Sequence, residues 1–203
     1  MKKTLLLSAV LALALLASAP SAQAQVLTTG QTLGKGNQLA MVSESRLAVD
    51  SVTLNIPYVM YARGLSKEFD LYILLGDTSI FGENQVFAGV GGNLHLFKVG
   101  KLDISTLNVV SAGLHRRHES SSVLLNDALI ASYAFNARFS LYSGVNALVP
   151  VGARERGLFT PPTYKVNVPI GAAFTFKQGK WSLFVEQDIG RLKATGIGVS
   201  RSF

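Results

Sequence analysis

The sequence has no cysteine, which excludes disulfides, thiolate catalysis, cysteine-held zinc and iron–sulfur clusters together. It also excludes the lipidated cysteine of a lipoprotein. Charge is scarce: 15% of the 203 residues are Asp, Glu, Lys or Arg, against ~25% in an ordinary soluble domain. With 48% of residues hydrophobic, so little charge argues against disorder and against a conventional hydrated surface. Long hydrophobic runs are missing beyond residue 24. No uncharged stretch there reaches the ~18 residues that mark a membrane helix, so any crossing of a bilayer falls to strands. The length suits one domain with its own packed interior.

The exception is the beginning of the chain. Lys2 and Lys3 precede a Leu- and Ala-rich run over residues 5 to 19, then Pro20 and the small-x-small triplet Ala22-Gln23-Ala24. This is the pattern of a secretory signal peptide, with a mature chain expected to begin at Gln25. There is no twin-arginine pair, which points to the general secretory route.

From about residue 39 the chain reads in short segments of period two. In residues 164 to 177, Tyr164, Val166, Val168, Ile170, Ala172, Phe174 and Phe176 share one face. Lys165, Asn167, Pro169, Gly171, Ala173 and Thr175 share the other. In residues 86 to 97, Val86, Ala88, Val90, Leu94 and Leu96 oppose Phe87, Gly89, Gly91, Asn93 and His95. Segments 52–63, 69–77, 129–135, 139–149, 181–189 and 195–203 follow the same rule. Segment 102–114 is blurred by Leu107 and Val109, and 37–44 is the weakest. Short basic connectors (64–68, 98–101, 136–138, 177–180) alternate with longer ones (79–85, 116–122, 150–162), as in an up-and-down sheet whose ends face different compartments. Ten strands fit; eight fit if the first segment is loop and one other is misassigned.

Alternation alone does not say which face is inside. The polar faces carry Gly89, Gly91 and Asn93; Ser140, Tyr142, Gly144 and Asn146; Ala194, Gly196, Gly198, Ser200 and Ser202. Small, mostly uncharged residues suit the crowded interior of a narrow barrel better than a hydrated surface. Phe69, Phe135, Phe139, Phe176, Trp181 and Phe203 lie on the apolar face beside the short connectors, as an aromatic ring at a membrane interface would.

Over residues 39 to 203 this pattern resembles the outer-membrane β-barrel proteins of bacteria with two membranes. The most specific feature is the terminal run Gly196-Ile197-Gly198-Val199-Ser200-Arg201-Ser202-Phe203. Phe203, Val199 and Ile197 match the aromatic-ended, alternating last strand that barrel-assembly machinery reads in that family; Arg201 departs from it. The hairpin over residues 61–72 resembles a first periplasmic hairpin of small barrels of the same kind. The resemblance implies an all-β, up-and-down antiparallel transmembrane barrel over residues 37–203, preceded by a loose periplasmic lead over 25–36. It also implies an outer-membrane location, with membrane lipids and the assembly machinery as partners. Such likeness speaks to architecture more than to function.

Chemistry is sparse. His115-Arg116-Arg117-His118-Glu119-Ser120 is the one place where His, Glu and Ser meet, and a hydrolase using His115 or His118 with Ser120 is the first alternative function. A solvated basic loop is the favoured reading, so no catalytic residue is assigned. His115 and His118 have no third ligand nearby, and no metal or cofactor is expected. Gly89-Val90-Gly91-Gly92 and Gly34-Lys35-Gly36 fail the nucleotide-loop patterns. No basic stripe with interleaved aromatics suggests nucleic acid. Arg63, Asp70, Lys98, Asp103, Lys165, Glu186 and Asp188 are expected to face the lumen, where their mixed signs either line a narrow polar path with little ion preference or, the favoured reading, pair to fill it. Arg116, Arg117, Arg154 and Arg156 are expected in outer loops, where guanidinium forks suit lipopolysaccharide phosphates. The expected function is a non-enzymatic integral barrel, structural or a narrow porin-like channel. A secreted soluble barrel binding a small apolar ligand is the second alternative.

Overall fold

The computed structural model describes residues 31–49, 52–80, 83–114, 122–151, 165–176, 180–190 and 193–203. Its ten strands are β1 (Gln38–Val49), β2 (Val52–Gly64), β3 (Phe69–Ile80), β4 (Glu83–Val99), β5 (Leu102–Leu114), β6 (Ser122–Asn136), β7 (Phe139–Val151), β8 (Lys165–Phe176), β9 (Trp181–Gly190) and β10 (Lys193–Ser202). Each pairs antiparallel with the next, and β10 returns to β1, so the sheet closes without a free edge. The seam is locked where Gln38 and Phe203 exchange backbone hydrogen bonds of 2.9 and 3.3 Å. The expected ten-stranded, all-antiparallel barrel is the observed fold, and the weak segment at 37–44 is a full strand.

One expectation about the connectors is corrected. Residues 79–85 are not a long loop, because β3 runs to Ile80 and β4 begins at Glu83. Only two residues likewise separate β1 from β2 and β9 from β10. At that end, the longer intervals are 115–121 and 152–164, outside the described residues. Between β3 and β4 the strands run further than periodicity suggested because Thr78, Ser79, Glu83, Asn84 and Gln85 put polar residues on both faces and carry no alternation.

The two faces of the wall are sorted in reverse of a soluble protein. Outside, Val42, Ile73, Leu75, Val90, Val110, Leu129, Val145, Val168, Ile170, Val185, Ile197 and Val199 are all exposed. Inside, Ser43, Asn93, Ser105, Ser132, Ser182, Ser200 and Ser202 are buried. Glu44 and Arg46, 4.0 Å apart, and Asp127 interrupt the apolar exterior. Phe135 stacks on Phe139, which packs on Phe174, with Tyr133 edge-on to Phe135. Together with exposed Phe97 and Phe176, these rings gather beside the short turns.

The interior is not purely polar. Leu39, Met41, Ala62, Tyr72, Ala173 and Phe184 pack as one cluster, with Tyr58, Met60 and Leu107 against it. Ala128, Ile130 and Tyr142 form a second, which Leu107 also touches. This explains the blurred β5: Leu107 faces inward, where apolar packing is available. The glycines opposite the aromatics are part of the same packing. A Cβ at Gly198 would overlap the Phe184 ring, and one at Gly171 the Tyr142 ring. In each case the glycine is the ring's cross-strand partner, so the ring lies across the bare backbone of the neighbouring strand.

Candidate functional site

Residues 31–37, the described part of the chain before β1, are held against the barrel. Gly34 and Gly36 both have left-handed backbones, φ +80 and +86, which only glycine adopts without strain. The turn they form is held by Asn37 N–H on the Gly34 carbonyl at 3.2 Å and Gly36 N–H on the Gly64 carbonyl at 2.8 Å. The Asn37 side-chain amide donates to the Leu33 carbonyl at 2.6 Å. This directs residues 31–33 into the barrel mouth at the short-turn end. There Leu33 is 5% exposed and completes the larger apolar cluster.

Polar groups of the wall grip that segment. The Leu33 N–H donates to Asp70 Oδ2 at 2.8 Å, and the Gln31 amide donates to Asp103 Oδ2 at 2.9 Å. The Asn93 amide donates to the Gln31 carbonyl at 3.3 Å, and the Thr32 hydroxyl to the Lys67 carbonyl at 2.6 Å. Asp103 is a hub, because His95 Nε2 and Lys98 Nζ also lie 3.3 and 3.2 Å from its two oxygens. Burying that carboxylate is tolerable because several donors converge on it.

The predicted lumen residues divide. Asp70 and Asp103 are buried inside and meet the docked segment. Glu186 and Asp188 face inward from β9, half-buried, in alternation with buried Ser182 and Phe184. Lys98 reaches Asp103 because the β-bulge between His95 and Phe97 adds a residue to β4 and leaves Phe97 outside. Lys165 opens β8, but its side chain lies outside the described ones. The expectation for Arg63 is corrected: it is exposed and outward. The inward positions of β2 are the alternate ones, Tyr58, Met60, buried Ala62 and buried Gly64. Both faces of β2 carry apolar residues, so periodicity there could not choose. Arg63 having moved out, the described interior carries four carboxylates, Asp70, Asp103, Glu186 and Asp188, against Lys98 and His95. Among the described side chains, the mixed set of the sequence reading is therefore richer in acid than in base.

Gln31, Leu33, Asn93 and His95 were not singled out for this role by sequence reasoning. The available signal was Gly34-Lys35-Gly36, which reads as a failed nucleotide loop but works as the turn that docks the lead. Phe203 sits at the seam, with the Arg201 guanidinium 5.3 Å from its ring and 5.5 Å from that of Trp181. The residue that departs from the terminal pattern is thus accommodated between two aromatics. Arg116, Arg117, Arg154 and Arg156, with His115, His118 and Ser120, lie outside the described residues. Among the described residues no three His, Asp or Glu side chains are grouped to hold a metal.

No family model matches the sequence, and no curated protein matches it. Among solved structures, the chain is similar to the N-terminal β-barrel domain of Pseudomonas aeruginosa OprF, with 10% identity over 84% of this chain and 99% of that one, TM-score 0.45. It is similar to the KdgM porin, with 11% identity over 80% of this chain and 99% of that one, TM-score 0.47. For the outer membrane protein OprG of Pseudomonas aeruginosa the values are 8%, 86%, 99% and 0.39.

Proposed function

We propose that the protein is an integral, non-enzymatic barrel of the bacterial outer membrane, exported by residues 1–24, whose narrow and largely filled lumen serves as a structural barrel or a narrow channel. The observation that carries this reading is the reversed wall. A closed sheet satisfies every strand's backbone within itself, which is what hydrocarbon demands. Its exposed valines, leucines and isoleucines make the outer wall largely apolar, more exposed apolar area than a soluble monomer carries. The aromatics beside the short turns fit one bilayer interface, and Phe203 fits the assembly signal. Arg116, Arg117, Arg154 and Arg156 are placed by this reading in the outer loops, with lipopolysaccharide phosphates as their partners. The soluble ligand-binding alternative loses support because the interior apolar side chains pack on one another.

The test is the behaviour of the purified mature chain. It requires detergent to stay in solution, and unheated samples migrate faster on a gel than boiled ones. A chain that remains monomeric in buffer without detergent overturns the reading. A second expectation concerns Asp127, exposed on the outer wall next to exposed Leu129. Asp127→Leu raises unfolding stability in lipid by about 1–2 kcal/mol, since a carboxylate on the lipid face is unfavourable. A urea titration of the refolded barrel in vesicles measures this, and a lowered midpoint would contradict lipid contact at that position.

A further inference from the structure

We propose that residues 31–36 are a displaceable plug at the short-turn mouth of a cation-preferring path, so that the position of this segment controls passage through the barrel. The proposal rests on the narrow-channel reading above and adds to it a gate and an ion class.

Three observations support the gate. The segment precedes β1 and contributes to no strand, so it can leave the mouth while the closed ladder stays intact. Its hold is local and modest: one buried leucine, two carboxylate contacts and a few further hydrogen bonds. Elements held by so few contacts are the first to open in a folded protein. Leu33 is also the member of the apolar cluster that does not come from the sheet, so its departure opens a gap beside Leu39, Tyr72 and Phe184.

The charge inventory supports the ion class. Asp70 and Asp103, the two carboxylates that grip the plug, flank the mouth, and Glu186 and Asp188 face inward beyond them. Lys98 and His95, the basic partners among the described inward side chains, are both committed to Asp103. Asp70 is fully buried with one oxygen on Leu33 and the other, Oδ1, without a hydrogen-bond partner. When the segment withdraws, carboxylate oxygens line the vacated mouth, and an acidic constriction between low-dielectric walls favours cations over anions.

The experiment is potassium and chloride efflux from liposomes carrying the full mature chain, with heat-dependent gel migration certifying that each variant is folded. Leu33→Asp places a carboxylate in the apolar cluster against Asp70, and Asp70→Asn is the milder variant. Thr32→Cys with Lys67→Cys, in a chain otherwise free of cysteine, ties the segment to the β2–β3 turn. Leu33→Asp is expected to speed potassium efflux by about tenfold or more, since losing a buried apolar contact and setting a second carboxylate beside Asp70 shifts a docked-to-free ratio by at least that factor. Potassium leaves faster than chloride, and the oxidised double-cysteine variant falls to the rate of empty vesicles until reduced. If the wild type leaks and the folded Leu33→Asp, Asp70→Asn and tied variants all leak equally, the plug is overturned while the channel stands. If the wild type and both untied variants release ions no faster than empty vesicles, the channel reading falls and takes the plug with it. Faster chloride than potassium overturns the charge argument.

Discussion

Val168→Arg lowers the stability of the lipid-inserted barrel by about 2–4 kcal/mol, whereas Asn167→Ser, one residue away, has a much smaller effect. Val168 is exposed on the outer wall of β8 between exposed Val166 and Ile170, and Asn167 is buried inside. An arginine at 168 has apolar neighbours on both sides along the strand and no partner carboxylate on that face of β8. Its side chain must either remain in hydrocarbon or stretch toward an interface, and both are unfavourable. The serine at 167 keeps a small hydroxyl in a lumen already lined with serines. In a soluble barrel the order reverses, because an exposed valine tolerates arginine and a buried asparagine does not tolerate truncation. Refolding into vesicles, followed by urea titration of both variants, separates the two cases. Equal tolerance of the two substitutions would contradict the assignment of faces.

That assignment was legible wherever one face was distinctly small or polar. In β4, β7, β8 and β10 the described members of the expected inward sets, such as Ser140, Tyr142, Gly144 and Asn146, point inward. Alternation encodes side-chain direction directly, because successive residues of a strand point to opposite faces. It failed in β2, where Tyr58 and Met60 go in while Val59 and Tyr61 go out, and it misplaced Arg63 there. Loop length was overestimated at 79–85 for a related reason: polar residues on both faces erase the period without ending the strand. The docked lead was the largest omission. Leu33 meets Asp70 across 37 residues of sequence and Gln31 meets Asp103 across 72. No local pattern encodes such contacts; only the glycine pair marks the turn that makes them. Moving Arg63 outside removes one of the three cations set against the four predicted lumen carboxylates, so the acid excess among them widens.

Phe184→Ala destabilises the barrel by about 3–5 kcal/mol, as expected for emptying the site of a fully enclosed aromatic. Phe174→Ala, which removes the same ring from a half-exposed position on the outer wall, is expected to be milder, because lipid fills the space it leaves. The contrast follows from burial: Phe184 is 2% exposed and Phe174 45%. Part of the effect at 184 comes from a particular neighbour. Its ring lies across Gly198, the cross-strand partner on β10, where a Cβ would overlap the ring. Gly198→Val alone therefore forces the ring aside and costs about 1–3 kcal/mol through overpacking. In the Phe184→Ala background the same valine enters space the ring has vacated, and part of the lost stability returns. The double variant should therefore be more stable than the sum of the two single losses, a coupling of ~1 kcal/mol or more for residues in direct contact. Additive losses in a urea titration of the four proteins would mean that Phe184 does not lie over Gly198. The small residues of the inner face would then need another explanation, because it is the closeness of ring to bare backbone that links the glycine-rich sequence of β10 to a filled lumen.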